Sequence, residues 1–135
     1  MLITGDTFEF LFSFSQDDVD AFAKISGDNN PVHLDAAYAA TTVYKKPIIH
    51  GFLGSSVISR IFGTMWPGEG TVYLHQQLSF KRPMYVDQEY KAVLSVKEVM
   101  EGKHRATIIT NIIEVANNKP VVTGEAQIMN KEKLS

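Results

Sequence analysis

The feature that most constrains the fold of this chain is a helical pattern, from residue 51 to about residue 65, that has no polar face. Apolar or small residues occupy nearly every position in it: Phe52, Leu53, Gly54, Ser55, Ser56, Val57, Ile58, Ser59, Ile61 and Phe62. A helix without a polar face is usually buried. Its glycines and serines further indicate that a sheet or a ligand packs close to its backbone. We therefore expect the rest of the chain to wrap around this helix.

Segments with two-fold alternation of apolar residues supply the wrapping layer. One precedes the helix at residues 8–14, and four follow it at residues 71–81, 89–100, 105–115 and 121–129. Turn sequences at residues 101–103 and 117–119 favour antiparallel hairpins. The sequence predicts an α+β fold, in which a five-stranded, mostly antiparallel sheet wraps around one long central helix.

Shorter segments fill the first half of the chain. Ser15 and Asp18 match a capping box for a helix that Gly27 ends, and a short Ala-rich helix is predicted at about residues 35–41. The peptide between them, residues 28–33, is predicted to be a loop, because Pro31 lacks an N–H and disfavours helical backbone in the residue before it. Residues 130–135 are predicted to be a loose tail.

Length and composition narrow the function classes. A chain of 135 residues is expected to form one domain, residues 1–135, and its net charge of −2 gives no general attraction to nucleic acid or anionic membranes. The absence of cysteine excludes disulfides, thiolate catalysis and Cys-ligated zinc. No apolar run reaches the length of a membrane span, and no signal-peptide pattern is visible. We expect a cytoplasmic protein.

The segment Asp28-Asn29-Asn30-Pro31-Val32-His33 places a carboxylate and an imidazole five residues apart. The proline stiffens the segment, and the two asparagines favour turns by bonding the local backbone. Asp28 and His33 are thus candidates for a general acid/base pair. Taken singly, each has a structural alternative, as a turn-forming aspartate and as a structural histidine. The spacing alone leaves both interpretations open.

His50 and Gly51 open the long helix. The first turn of a helix has unpaired N–H groups and a partial positive charge, and a glycine there lets an oxygen approach the backbone. Gly51 could therefore donate to a developing oxyanion, or it could simply permit close packing against the sheet. For the His50 side chain we favour a positional role over an acid/base one.

Serines and the other histidines offer weaker signals. Ser55 and Ser59 lie four residues apart on the helical face of Gly51, but Gly54-Ser55-Ser56-Val57 does not fit a nucleophile elbow. They are predicted to be spacers or polar contacts in a pocket. His75 and His104 have no carboxylate at ligand spacing, so no metal site is expected.

The longer run Gly27-Asp28-Asn29-Asn30-Pro31-Val32-His33-Leu34-Asp35 resembles the hydratase 2 motif of the MaoC-like, hot dog fold (R)-specific enoyl-CoA hydratases. The likeness continues in further segments: Ala40-Thr41-Thr42, Pro47-Ile48-Ile49-His50-Gly51, Ser59, residues 67–74, residues 78–83 and Val122-Thr123-Gly124-Glu125-Ala126. It covers most of the chain, and it is nearest to the short hydratases that feed polyhydroxyalkanoate synthesis.

The resemblance implies roles for these residues. The residues that match Asp28 and His33 form the catalytic dyad in the family, the one that matches Gly51 donates its N–H to the thioester carbonyl, and the one that matches Ser59 assists in the active site. The implied reaction is reversible hydration of trans-2-enoyl-CoA to (R)-3-hydroxyacyl-CoA. Coenzyme A is part of the substrate, so no separate cofactor is expected. A homodimer with active sites near the subunit interface is also implied.

Further substrate contacts are assigned to Asn30, His50, Lys81 and Arg82, the last two as partners of the coenzyme A phosphates together with Lys45 and Lys46. Solvated surface cations are the alternative for all four basic residues. Three other functions stay open: a 3-hydroxyacyl-[acyl-carrier-protein] dehydratase, a hot dog thioesterase and a non-catalytic acyl-binding module. Acyl chain length depends on the side chains that close the acyl tunnel, which sequence does not place.

Overall fold

The computed structural model describes residues 1–135, and its strands form a single antiparallel sheet in the order β1-β3-β4-β5-β2. The elements along the chain are β1 (Thr7–Phe12), α1 (Gln16–Ser26), α2 (Pro31–Leu34), α3 (Ala36–Ala40), α4 (Gly51–Thr64), β2 (Val72–Phe80), β3 (Tyr90–Met100), β4 (Arg105–Glu114) and β5 (Lys119–Met129). All five predicted strands and the α+β class are confirmed. β1 and β2 are the edge strands.

The core lies between α4 and one face of the sheet. Successive strand residues point to opposite faces, so burial alternates along the first part of β3 and along parts of β4 and β5. The buried side chains of the helix and of these strands form one cluster, which includes Leu53, Val57, Ile58, Ile61 and Phe62 from α4 and Leu94, Val96, Ile108, Ile112, Val122 and Ile128 from the sheet. The helix predicted from its missing polar face is therefore the centre of the fold.

One expectation for α4 is wrong. The helix is not buried on all sides, since Phe52 is 70% exposed and Ser56, Ser59 and Arg60 are also exposed. The sheet of one chain covers only one side of the helix. The uncovered side lies beside β2, whose outer edge has no neighbouring strand.

The loop predicted at residues 28–33 is helical in its second half. Residues 31–34 form the single-turn helix α2, with Pro31 in its first turn and Asn30 as its N-cap. Proline is well tolerated there, because an N–H at the first helical position would lack an intrahelical acceptor anyway. The Asn30 side chain accepts a hydrogen bond from the Val32 N–H at 3.2 Å. His33 thus lies on a helical turn rather than in a loop.

The two ends of the chain complete the comparison with sequence. The capping box of Ser15 and Asp18 and the left-handed Gly27 are confirmed. The prediction of a loose tail at residues 130–135 is wrong. Leu134 is fully buried, and the Asn130 amide donates to the Glu69 carbonyl at 3.1 Å. A single apolar side chain with a place in the core is enough to fix a short tail. No helix in the structure combines the length and apolar character needed to cross a membrane.

Candidate active site

The His33 ring is held in one tautomer. Its Nδ1 atom lies 2.8 Å from the Ile48 carbonyl oxygen, and the side chain is 8% exposed. A carbonyl oxygen can only accept, so Nδ1 carries the proton and the Nε2 atom of the neutral ring keeps its lone pair. This is the tautomer that a general base requires.

Asp28 is positioned through its backbone. Its N–H donates to the Ser26 hydroxyl at 3.1 Å, and its carbonyl accepts from His50 Nε2 at 2.9 Å. The carboxylate is exposed and accepts only a long bond from the Asn30 N–H, at 3.4 Å. The carboxylate is thus left available to a ligand while the main chain on both sides of it is fixed.

His50 connects the two candidate catalytic residues. Its ring stacks on His33 with centroids 3.8 Å apart and an interplanar angle of 28°, and Phe22 packs against it at 4.8 Å. The residue is 3% exposed, and its Nδ1 atom is buried without a hydrogen-bond partner. This burial favours the positional interpretation of His50 over contact with a substrate.

The fold brings Asp28, His33 and His50 together. One polar atom from each lies within 4.8 Å of the others, and no hydrogen bond joins the Asp28 carboxylate to His33 directly. Two groups that share one water, each roughly 2.8 Å from it, are separated by up to about 5.6 Å. The spacing therefore fits a pair that holds a water between them.

The same three groups also have the chemical character of metal ligands. Imidazole lone pairs lie in the ring plane, and rings stacked at 28° direct them side by side rather than at one point. Zinc needs each ligand nitrogen at roughly 2.0–2.1 Å in a tetrahedral arrangement. The cluster is thus a poor fit for a metal, and the expected absence of a metal site stays a prediction.

Gly51 begins α4, and its surroundings fit both interpretations of it. The Gly54 N–H bonds to the His50 carbonyl at 3.0 Å, so the N–H groups of the first three helical residues have no acceptor within the helix. A Cβ atom at Gly51 would lie 2.7 Å from Phe80 Cε1, which is closer than van der Waals contact allows. Any larger residue would therefore force the Phe80 ring to shift, and glycine also leaves a backbone donor accessible.

A cavity of about 360 Å³ adjoins Gly51. Its lining is mainly apolar, with Lys81 and Arg82 among the lining residues: Tyr44, Ile48, Ile49, Gly51, Phe52, Phe80, Lys81, Arg82, Pro83, Met84 and Val122. Neither cation pairs with a carboxylate, since the two salt bridges of the chain are Lys91–Glu9 and Lys97–Glu125. Lys46 instead lies over the Tyr85 ring, 4.8 Å from its centre.

A second, more open groove runs between α4 and β2. Ser55, Ser56 and Ser59 line it from the helix. The role of Ser55 and Ser59 as spacers or polar contacts in a pocket stays a prediction. Asp28 and His33 do not line it. Ser59, the proposed active-site support, therefore lines a groove that the dyad does not line.

The floor of this groove contains a polar network that the sequence did not reveal. The Gln76 amide donates to Thr110 Oγ1 at 2.8 Å, and the Tyr73 hydroxyl donates to Gln76 Oε1. Burial raises the pKa of Tyr73 to about 12, so its hydroxyl stays protonated. The signal in the sequence is Gly124, because a glycine inside a strand marks a close approach of another group to the backbone. A Cβ atom at Gly124 would collide with the Gln77 carbonyl.

Comparison with known proteins decides the family. The family model described as "MaoC like domain" matches residues 4–118. This chain belongs to the MaoC-like family.

Two curated relatives of this MaoC-like chain illustrate its range. It is 44% identical to an (R)-specific enoyl-CoA hydratase of Aeromonas caviae over 115 residues, 85% of each chain. It is 31% identical to a mitochondrial 3-hydroxyacyl-[acyl-carrier-protein] dehydratase of Arabidopsis thaliana over 128 residues, which cover 93% of this chain and 76% of that one.

Solved structures agree with the sequence comparison. The (R)-hydratase of A. caviae involved in polyhydroxyalkanoate (PHA) biosynthesis superposes with a TM-score of 0.91 at 41% identity, covering 96% of this chain and 97% of that one. An R-hydratase of Pseudomonas aeruginosa gives a TM-score of 0.90 at 45% identity, covering 96% and 82%. The predicted resemblance and the hot dog fold are thereby confirmed.

Proposed function

We propose that this MaoC-like protein is a hydro-lyase that reversibly hydrates trans-2-enoyl-CoA to (R)-3-hydroxyacyl-CoA. The observation that carries the proposal is the fixed tautomer of His33, which leaves Nε2 unprotonated in a ring that has a nitrogen within 4.8 Å of the exposed Asp28 carboxylate. The 44% identity to an (R)-specific enoyl-CoA hydratase supports the substrate class.

The chemistry follows from the proposed positions. Asp28 and His33 hold one water, and His33 Nε2 accepts a proton as the water oxygen bonds to Cβ of the enoyl group. The electron pair of the double bond moves toward the thioester oxygen, where the Gly51 N–H stabilises the enolate charge. The proton then returns from the dyad to Cα on the same face. A conjugated thioester is already electrophilic at Cβ, so the step needs neither metal nor redox cofactor.

Coenzyme A is assigned to the cavity beside Gly51. Its apolar walls suit the pantetheine arm, and the unpaired Lys81 and Arg82 suit the phosphates. Asn30 caps α2 through its oxygen, which leaves its amide N–H₂ as a donor near Asp28. For His50, predicted as a substrate contact, the buried and stacked ring supports a positional role instead.

A homodimer completes the proposal. The β2 edge and the uncovered side of α4 carry exposed apolar residues: Phe52, Val72, Leu74 and Phe80. An unpaired edge strand beside an apolar surface is a place where chains associate. A two-fold pairing of β2 with its copy would cover both features and add a second wall to the groove of Ser59. A cytoplasmic location remains a prediction from the sequence.

The test is an absorbance assay at the conjugated thioester band, with crotonyl-CoA and a longer enoyl-CoA, followed by chiral analysis of the product. We expect loss of the band and an (R)-3-hydroxyacyl-CoA. An (S)-product, or no hydration of either substrate, would contradict the proposal. Release of free thiol from a saturated acyl-CoA would instead indicate a thioesterase.

The second candidate function is dehydration of a 3-hydroxyacyl group on an acyl carrier protein. The 31% identity to the A. thaliana dehydratase favours it, and the dyad chemistry is the same reaction in reverse. Assays with matched coenzyme A and carrier-protein thioesters separate the two. We expect a higher kcat/KM with coenzyme A, because Lys81 and Arg82 are free to meet its additional phosphates.

A further inference from the structure

His50 combines two features that its place in the fold does not require. It is the N-cap of α4, yet its side chain makes no capping hydrogen bond. Its Nδ1 atom is buried without a partner. Asparagine, aspartate or serine at this position would cap the helix and stabilise it. A residue that forgoes the cap and leaves a polar atom unsatisfied needs another explanation.

The contacts of the His50 ring supply that explanation. Its Nε2–H donates to the Asp28 carbonyl at 2.9 Å, and its face stacks on His33 at 3.8 Å. One side chain thus touches both members of the dyad. Phe22 packs against the ring and limits its movement.

The neighbouring backbone fixes the rest of the site. The Ile48 carbonyl accepts from His33, and the Ile49 N–H is bonded to the Met84 carbonyl at 2.8 Å. Gly51, the proposed oxyanion donor, follows His50 directly. The segment 48–51 therefore anchors His33, Asp28 and the oxyanion donor to one short piece of chain that is itself attached to residue 84.

We propose that His50 is a positioning residue of the hydratase site, which sets the distance between the Asp28 main chain and the His33 ring through its Nε2–H bond and its stacked face. The proposal rests on the proposed function. Misplacement of a reacting group by about 1 Å can cost on the order of 10²-fold in rate. The Asp28 carboxylate accepts only one long hydrogen bond, from the Asn30 backbone N–H, so loss of its main-chain anchor should lower turnover.

Two amide replacements separate positioning from stability. In His50→Gln the amide nitrogen reaches the place of Nε2, so the bond to the Asp28 carbonyl is retained. In His50→Asn the shorter amide cannot reach that carbonyl, but asparagine is a good N-cap for α4. We expect His50→Asn to keep its thermal midpoint and lose at least about 10-fold in kcat, with KM within about two-fold. We expect His50→Gln to recover most of the loss.

A double-mutant cycle with Asp28→Asn tests whether His50 acts through the dyad. If it does, His50→Asn costs less than about two-fold once the Asp28 carboxylate is gone. His104→Ala is the matched control. Like His50, His104 has a ring nitrogen bonded to the backbone carbonyl of a residue distant in sequence, since its Nδ1 lies 2.8 Å from the Leu134 carbonyl. We expect it to leave kcat unchanged.

The outcomes distinguish the two proposals. An active unsubstituted protein with an equally active His50→Asn variant overturns the positioning role alone, as does full additivity with Asp28→Asn. A loss of folding in both amide variants would show a structural role and overturn it too. No hydration by the unsubstituted protein overturns the proposed function, and the positioning role with it.

Discussion

The N-terminal end of α4 and its side beside β2 differ in how completely a single chain covers them. At its N-terminal end, His33 and His50 are buried, and each is hydrogen-bonded to a backbone carbonyl. Along the side beside β2, serines and large apolar residues are open to solvent. Under the proposed function, a single chain preassembles the groups for chemistry, and the open side of α4 is the surface that a second copy would cover.

The largest expected effect is on the preassembled end. Asp28→Asn or His33→Ala should lower hydration of crotonyl-CoA by roughly 10²–10⁴-fold, because each removes a group that transfers the proton. The fold should persist, as measured by circular dichroism. Asp17→Asn, an exposed carboxylate on α1, is the control and should retain full activity. Near-normal turnover in a dyad variant would refute the assignment.

Gly51→Val should cost on the order of 10² in kcat/KM, since a side chain there obstructs the donor N–H from the thioester oxygen. Gly63→Val is the control on the same helix, because a Cβ atom at Gly63 meets nothing within 4 Å. The packing interpretation makes a different prediction. Adding Phe80→Leu would restore activity if the Phe80 ring were the only obstacle, and unchanged kinetics of folded Gly51→Val would argue against an oxyanion role.

The open side should respond through association. Sedimentation equilibrium should show a dimer, and Leu74→Lys on the β2 edge should weaken it by about tenfold or more, which corresponds to about 1.4 kcal/mol per tenfold. Ile25→Lys is the control, because Ile25 is exposed on α1, away from that edge. A stable monomer of the unsubstituted protein, or equal effects of both changes, would remove the proposed interface.

The smallest effect concerns the cations beside Gly51. Lys81→Ala and Arg82→Ala should each raise KM for enoyl-CoA a few-fold and leave kcat unchanged, because an exposed charge contributes roughly 0.2–1 kcal/mol. The effect should shrink as salt rises. Lys103→Ala, on the turn after β3, is the control. A change in kcat without a change in KM would place these residues elsewhere in the reaction.

Local patterns in the sequence predicted much of the fold. The missing polar face of α4 and the alternation of β3, β4 and β5 depend only on which residues avoid water, so both survive in the structure. The capping box at Ser15 and the left-handed Gly27 involve neighbours in sequence and were equally visible. The prediction failed at the open side of α4 and at the tail because both depend on where distant residues pack. It failed at α2 for a local reason, since Pro31 begins a helical turn that Asn30 caps.

For the site, sequence alone determined the residue types. These are a carboxylate and an imidazole on either side of a proline and, separately, a glycine at the start of a helix. Only the tertiary structure decided which nitrogen of His33 is free, because that depends on the Ile48 carbonyl fifteen residues away. It also showed that His50, a candidate substrate contact, bonds to the Asp28 carbonyl and stacks on His33. Hydrogen bonds and stacking between residues distant in sequence exist only once the chain has folded, so no local pattern encodes them.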